Sequence, residues 1–276
     1  MIKIKNKDNS MKKFTVLDFK RKKNAKEKIT MLTAYDYLMA KIIDEAGIDS
    51  ILVGDSLSMV ALGYDDTLSI TMDEMIHHCK AVNRGRKNAF LIADMPFMSY
   101  QASDYDAIFN AGRFVKEAGC EAVKVEGGEK MSSRINAIIN IDIPVIGHLG
   151  LTPQSIHKLG GYKVQGKDIE DVKKIIKDAI ILEQLGCFAI VLECVPKELV
   201  KKIKDKVQIP IIGIGAGNYC DGQVLVTHDI LGFCNKVNPK FVKKYANVEI
   251  EISKAIKLFK EEVDSNIFPN DQHSFI

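Results

Sequence analysis

The feature that most constrains this chain is an alternation. Eight short apolar runs, Ile29–Thr33, Ser50–Gly54, Phe90–Ala93, Ala122–Val125, Pro144–Gly147, Ala189–Leu192, Pro210–Ile214 and Gln223–Val226, recur between longer stretches with helical spacing. Each run is too short for a free-standing helix and close to continuously apolar, as a parallel strand covered on both faces must be. The intervening stretches Tyr37–Ala46, Met72–Asn83, Asp104–Ala118, Ile169–Leu185 and Pro196–Lys204 carry the periodicity of amphipathic helices. Gly47, Gly119 and Gly186 stand where helices should stop, and Thr71 with Glu74 and Ser103 with Asp106 have the spacing of amino-terminal caps. The pattern predicts βαβ units, and eight strands within 276 residues predict an α/β fold closed as a (β/α)8 TIM barrel rather than an open doubly wound sheet.

Two segments stand outside the repeat. Residues 149–168, rich in Gly and polar side chains, predict a functional loop over one barrel mouth. Glu249–Val263 reads as an amphipathic helix that either closes the barrel or packs on a neighbouring subunit. The expected organisation is a basic amino-terminal arm over residues 1–28 and a single barrel domain over residues 29–276 that ends in this helix. The arm holds eleven Lys and Arg against three acids, a surplus of eight positive charges, while the rest of the chain carries five more acids than bases. Such an arm suggests nucleic acid or anionic lipid as partners, yet it reads as a solvated tail, and neither partner is expected. No run reaches the roughly 18–20 apolar residues of a membrane span, and the amino terminus lacks the apolar core of a secretory signal, so a cytoplasmic protein is expected. The six cysteines, Cys79, Cys120, Cys187, Cys194, Cys220 and Cys234, include no C-x-x-C pair and so signal neither a zinc cluster nor a redox couple. As free thiols in apolar runs they suit a reducing compartment.

A parallel barrel places its active site at the carboxyl ends of its strands, and here those ends are charged. The second run ends in Gly54-Asp55-Ser56, the third in Asp94-Met95-Pro96, the fourth in Lys124-Val125-Glu126-Gly127-Gly128, the fifth in Gly147-His148 and the sixth in Glu193-Cys194. Four carboxylates therefore point toward one mouth with Lys124 as the only cationic partner within those ends. Like charges in a partly dry pocket conflict, and a divalent cation resolves the conflict. An all-oxygen donor set that leaves positions open for substrate selects Mg2+ over Ca2+. Lys124 and Glu126 share a strand face, so both enter the same cavity. Nearby carboxylates would raise the Lys124 pKa, which favours a charge that holds a carboxylate or keto oxygen over a Schiff-base nucleophile. Glu193, flanked by Val191, Leu192 and Val195, reads as a general base tuned by an apolar surround. His148 reads as a hydrogen-bonded supporting group. The E-x-x-H of Glu74, His77 and His78 lies on an outer helix and reads as packing. Gly213-Ile-Gly215-Ala-Gly217 lacks dinucleotide-loop spacing and reads as close backbone passage.

Beyond the residues themselves, the segments VGDSLSMVALGYDDTL, IADMPFMSY, AVKVEGG, PVIGHLGLTPQS, LGGYKVQG, IVLECVP, IIGIGAG and CDGQVLVTHDILG, with the ending FPNDQHSF, resemble the ketopantoate hydroxymethyltransferase family. The resemblance implies a barrel of the phosphoenolpyruvate-utilising superfamily type, assembled as a homodecamer. It also implies Mg2+-dependent transfer of a hydroxymethyl group from 5,10-methylenetetrahydrofolate to 3-methyl-2-oxobutanoate, giving 2-dehydropantoate for pantothenate biosynthesis by way of a stabilised enolate. Carried onto this chain, Asp55, Asp94 and Glu126 match the metal-site carboxylates. Asp55, Ser56, Asp94 and Lys124 border the keto acid, and Glu193 matches the catalytic base. Val125, Asp66 and the Lys-rich arm depart from the family pattern without touching those positions. The alternative within enzymes is a metal-dependent keto-acid lyase or mutase of the same superfamily; outside enzymes it is a non-catalytic barrel whose arm recruits RNA or protein.

Overall fold

The computed structural model describes residues 12–233 and 239–275, so Cys234 and the first eleven residues of the arm lie outside the described residues. In chain order, α1 is Val16–Asn24, β1 Ile29–Thr33, α2 Tyr37–Glu45, β2 Ser50–Val53, α3 Leu57–Val60, α4 Met72–Gly85, β3 Phe90–Asp94 and α5 Asp104–Ala118. There follow β4 Ala122–Glu126, α6 Ser132–Ile139, β5 Val145–Gly150, α7 Ile156–Leu159, α8 Ile169–Leu185, β6 Ala189–Glu193, α9 Lys197–Lys204, β7 Ile211–Ile214, β8 Gly222–Leu225, α10 Thr227–Leu231 and α11 Val248–Asp264. The eight strands close into one parallel barrel in sequence order, with β8 pairing back onto β1. The expectation placed residues 29–276 in one domain; the structure forms one compact unit over Met1–Val226, which holds the barrel, and a second over Thr227–Ile276.

The local signals explain the elements. Thr71 and Glu74 form the reciprocal capping box that starts α4, the Ser103 hydroxyl accepts from the Asp106 N–H to start α5, and Gly119 and Gly186 take left-handed conformations where α5 and α8 end. Glu74 is thereby engaged as a cap, His77 at the other end of the E-x-x-H spacing is exposed, and the neighbouring His78 places its Nδ1 2.6 Å from the Tyr35 carbonyl oxygen. Within each strand, alternate residues divide between two cores. Ile29, Met31, Leu52, Phe90, Ile92, Ala122, Ile146, Val191, Ile212 and Val224 fill the barrel interior, while Ile51, Val53, Leu91, Val123, Val125, Val145 and Ile190 pack outward against the helices. This parity fixes the site: Phe90, Ile92 and Asp94 share a face, as do Ala122, Lys124 and Glu126, and Ile146 and His148. The top layer of the interior is charged because the same inward positions continue past the apolar ones.

The arm departs from its expectation. Its described part is not a solvated tail: residues 16–24 form α1, and Phe19, 0% exposed, meets Phe14, Phe90 and Phe188 edge-on at the amino-terminal end of the barrel. Its cations bind that rim. Lys22 pairs with Asp49 at 2.6 Å, Lys13 with Glu121 at 2.6 Å and Lys23 with Asp221 at 3.4 Å, and Lys28 donates to the Cys220 carbonyl oxygen. Between β7 and β8 the chain forms no helix, and the Asp221 carboxylate accepts from the Ile211 N–H where the loop returns. A Cβ on Gly213 would press into the Cys220 side chain, so the glycine-rich segment serves close packing, as expected. The described cysteines are free, and burial pushes the Cys187 thiol up to about 12 and the Cys220 thiol up to about 11. Among the described residues no helix is long and apolar enough to cross a membrane.

Candidate active site

Strand register builds the charged mouth. Asp94 on β3 is the register partner of Lys124 on β4, Glu126 on β4 of His148 on β5, and Gly150 on β5 of Glu193 on β6. The inward side chains therefore meet in sequence around the barrel. Lys124 Nζ lies 3.1 Å from Asp94 Oδ1 and 3.6 Å from Glu126 Oε1. His148 Nδ1 lies 3.1 Å from Lys124 Nζ and 3.4 Å from Glu126 Oε1, and its Nε2 lies 3.3 Å from Glu193 Oε2. Asp55 joins from the loop after β2, where its backbone N–H donates to Asp94 Oδ2 at 2.9 Å. The Ser56 hydroxyl stands 2.8 Å from the Tyr35 hydroxyl. Asp55, Asp94, Lys124, Glu126 and His148 are buried, whereas the Glu193 side chain keeps 16% of its surface at the mouth. All six expected site residues are thus brought together.

Sequence reasoning placed Glu193 in an apolar surround with Lys124 as the lone cation. The structure corrects both points, because His148 faces Glu193 from the neighbouring strand and supplies a second basic group. Burial and the Lys124 charge work against its imidazolium form, but the Glu126 and Glu193 carboxylates beside the ring overcome them and raise His148 to about 9. Burial also works against the Lys124 ammonium, yet the Asp94, Glu126 and Asp55 carboxylates more than offset it and hold Lys124 above its ordinary value. For Glu126, burial opposes ionisation, and Lys124 and His148 reverse the balance and lower its pKa. Asp55 is left over: burial first, then the Asp94 and Glu126 charges, push its carboxyl well above the usual carboxylate range.

Sequence reasoning also missed two residues. Gln154, in the 3-10 turn Pro153–Ser155 after β5, donates from Nε2 to Asp55 Oδ2 and to the Met95 carbonyl oxygen, both at 2.9 Å. Its backbone N–H donates to Glu126 Oε2 at 3.0 Å. Tyr100 places its hydroxyl 3.0 Å from Gln154 Oε1 and 3.2 Å from the Glu126 carbonyl oxygen. Both residues lie inside segments already singled out, PFMSY and LTPQS, but a neutral amide and a phenol do not stand out among charges. Gly150 has φ +90°, and a Cβ there would run into the Glu193 carbonyl oxygen, so only glycine lets the tops of β5 and β6 approach this closely.

The donor set fits a hard divalent cation. Four carboxylates, Asp55, Asp94, Glu126 and Glu193, face one ammonium and one imidazole, so with all four ionised and the imidazole protonated two negative charges would stay unbalanced, the conflict that pushes Asp55 toward its protonated form. Asp94 Oδ1 and Glu126 Oε1 are buried without a hydrogen-bond partner. Among the described residues no three acidic, His or Cys side chains form a ready-made cage. Mg2+ needs no such cage, because it binds through one or two carboxylates and keeps several waters.

At the level of the fold, the barrel matches solved structures of distant sequence. Against phosphonopyruvate hydrolase, solved with oxalate and Mg2+, the TM-score is 0.62 at 12% identity, covering 94% of this chain and 93% of that one. Against 2,3-dimethylmalate lyase it is 0.58 at 13% identity, covering 94% and 91%. Within that fold class, the ketopantoate hydroxymethyltransferase family profile matches residues 13–271. The 3-methyl-2-oxobutanoate hydroxymethyltransferase of Syntrophomonas wolfei is 56% identical over 265 residues, covering 96% of each chain. That of Enterococcus faecalis is 56% identical over 263 residues, covering 95% of this chain and 96% of its own. The chain belongs to the ketopantoate hydroxymethyltransferase family.

Proposed function

We propose that this chain transfers a hydroxymethyl group from 5,10-methylenetetrahydrofolate to C3 of 3-methyl-2-oxobutanoate, giving 2-dehydropantoate. Family membership supports the reaction, and the buried surplus of carboxylate at the mouth is the observation that carries the mechanism. Asp55 and Asp94 hold Mg2+, with Glu126 beside them. When bound, the ion supplies positive charge against the negative charge that develops on the keto oxygen. Lys124 stays an ammonium and binds the substrate carboxylate or keto oxygen as a point charge; its raised pKa supports this role over Schiff-base formation. Ser56, oriented by Tyr35, donates to the same substrate, and Asp55 and Asp94 border it.

Glu193 receives the C3 proton. Its position at the open edge of the pocket gives it access to a substrate entering from the mouth, and His148 Nε2 lies 3.3 Å from its Oε2 and holds the carboxylate in place. The one-carbon donor docks over the mouth against residues 149–168, where Tyr162 exposes 56% of its surface and offers a ring face to a pteridine. A cytoplasmic homo-oligomer, decameric as the resemblance implies, belongs to the same reading.

The test isolates Glu193 from the folate step. With Mg2+ and no one-carbon donor, the wild-type protein should exchange the C3 proton of 3-methyl-2-oxobutanoate with deuterated solvent. Glu193→Gln should lower exchange and overall transfer together by roughly 10²–10⁴-fold, the usual contribution of a positioned general base. Exchange at the wild-type rate in the Gln variant would pass the role to another group, with His148 next in line.

A further inference from the structure

We infer that Gln154 is a positioning residue that fixes which oxygens of Asp55 and Glu126 remain available to the cation. The inference rests on the proposed Mg2+ site and adds to it a residue that carries no charge. Gln154 is 8% exposed, and all of its polar atoms that face the site are engaged. Its side-chain nitrogen meets two acceptors, Asp55 Oδ2 and the Met95 carbonyl oxygen, each at 2.9 Å. Its side-chain oxygen meets two donors, Gln101 Nε2 and the Tyr100 hydroxyl, each at 3.0 Å. Reversing the amide would set an oxygen against a carboxylate and a carbonyl, so the surroundings allow one orientation only. The backbone N–H of the same residue takes Glu126 Oε2 at 3.0 Å.

A single residue after β5 thereby ties together the ends of β2, β3 and β4. It occupies one oxygen of Asp55 and one of Glu126, and the other oxygen of Glu126, Oε1, is buried without a hydrogen-bond partner. Hydrogen-bonded carboxylates lose rotational freedom, so the chosen oxygens point into the pocket before any ion arrives. Tyr100 and Gln101, both following β3, hold the Gln154 oxygen and keep the amide from turning.

The experiment is calorimetric binding of Mn2+, as a Mg2+ surrogate, to the full chain in the presence of 3-methyl-2-oxobutanoate, alongside thermal melting with a chelator. Gln154→Met keeps the length of the side chain and the backbone N–H but removes all four contacts of the amide. Manganese affinity should fall by roughly 10–100-fold, the usual effect of removing a group that orients a metal ligand, while the chelated melting temperature changes little. Tyr100→Phe, which removes one anchor of the amide, should lower affinity in the same direction by a smaller factor, and it provides the reading if Gln154→Met does not fold. A wild-type protein that binds no divalent ion overturns the Mg2+ reading and this inference together. A wild-type protein that binds, with variants whose affinity stays within twofold of it, overturns the role of Gln154 alone.

Discussion

The two ends of the barrel carry the same kind of side chain and use it in opposite ways. At the amino-terminal end, Asp49, Glu121 and Asp221 each meet both a cation and a backbone N–H. Asp49 takes Lys22 and Thr30, Glu121 takes Arg86 and Leu91, and Asp221 takes Lys204 and Ile211. At the carboxyl end, Asp55, Asp94, Glu126 and Glu193 share Lys124 and His148, and two oxygens stay without hydrogen bonds. A buried acid with a matched partner locks structure, whereas an unmatched one is a standing demand for a ligand. The barrel thus separates fastening from chemistry by about the length of a strand.

Three substitutions probe that separation. Phe19→Ala empties the aromatic cluster under the barrel and should cost about 3–5 kcal/mol, the usual range for a buried Phe. In thermal unfolding this corresponds to a drop of roughly 10 °C for a unit of this size, at unchanged kcat for the folded fraction; a kcat loss at low temperature would show that the ends are coupled. Asp94→Asn should do the reverse. It relieves repulsion on Asp55 and leaves Tm within a few degrees, but divalent-ion affinity and turnover should fall together, turnover by at least about 100-fold, because Lewis-acid stabilisation contributes several kcal/mol. Full activity after complete chelation would sink the assignment. The smallest effect is expected from Lys22→Ala, about 1 kcal/mol at low ionic strength, fading as salt screens the pair and leaving activity intact.

Much of this arrangement was legible in the chain. The apolar runs mark the strands to within a few residues, because a parallel strand covered on both sides leaves no polar position except at its end. For the same reason Asp55, Asp94, Lys124, Glu126 and Glu193 stood out where those runs break. What escaped was relational. The pairing of His148 with Glu126 and Glu193 depends on the register between β4, β5 and β6, which no single strand encodes. Gln154 carries no charge and sits in a loop assigned to folate docking. The arm misled because counting its lysines hides the Phe14, Val16 and Phe19 spacing that seats it, and because the rim acids that receive those lysines are scattered from Asp49 to Asp221.

The register pairs Asp94 with Lys124, Glu126 with His148 and Gly150 with Glu193 have a consequence for engineering. The site is not a handful of side chains that can be grafted one at a time onto another barrel. Its spacing is written in the stagger between adjacent strands, so a host with a different stagger would carry every residue and still set Lys124 against the wrong neighbour. The smallest transplantable piece is the arc from β2 to β6 together with the loop bearing Gln154. Within that arc, drift can exchange one charged residue for another only if the facing strand changes with it.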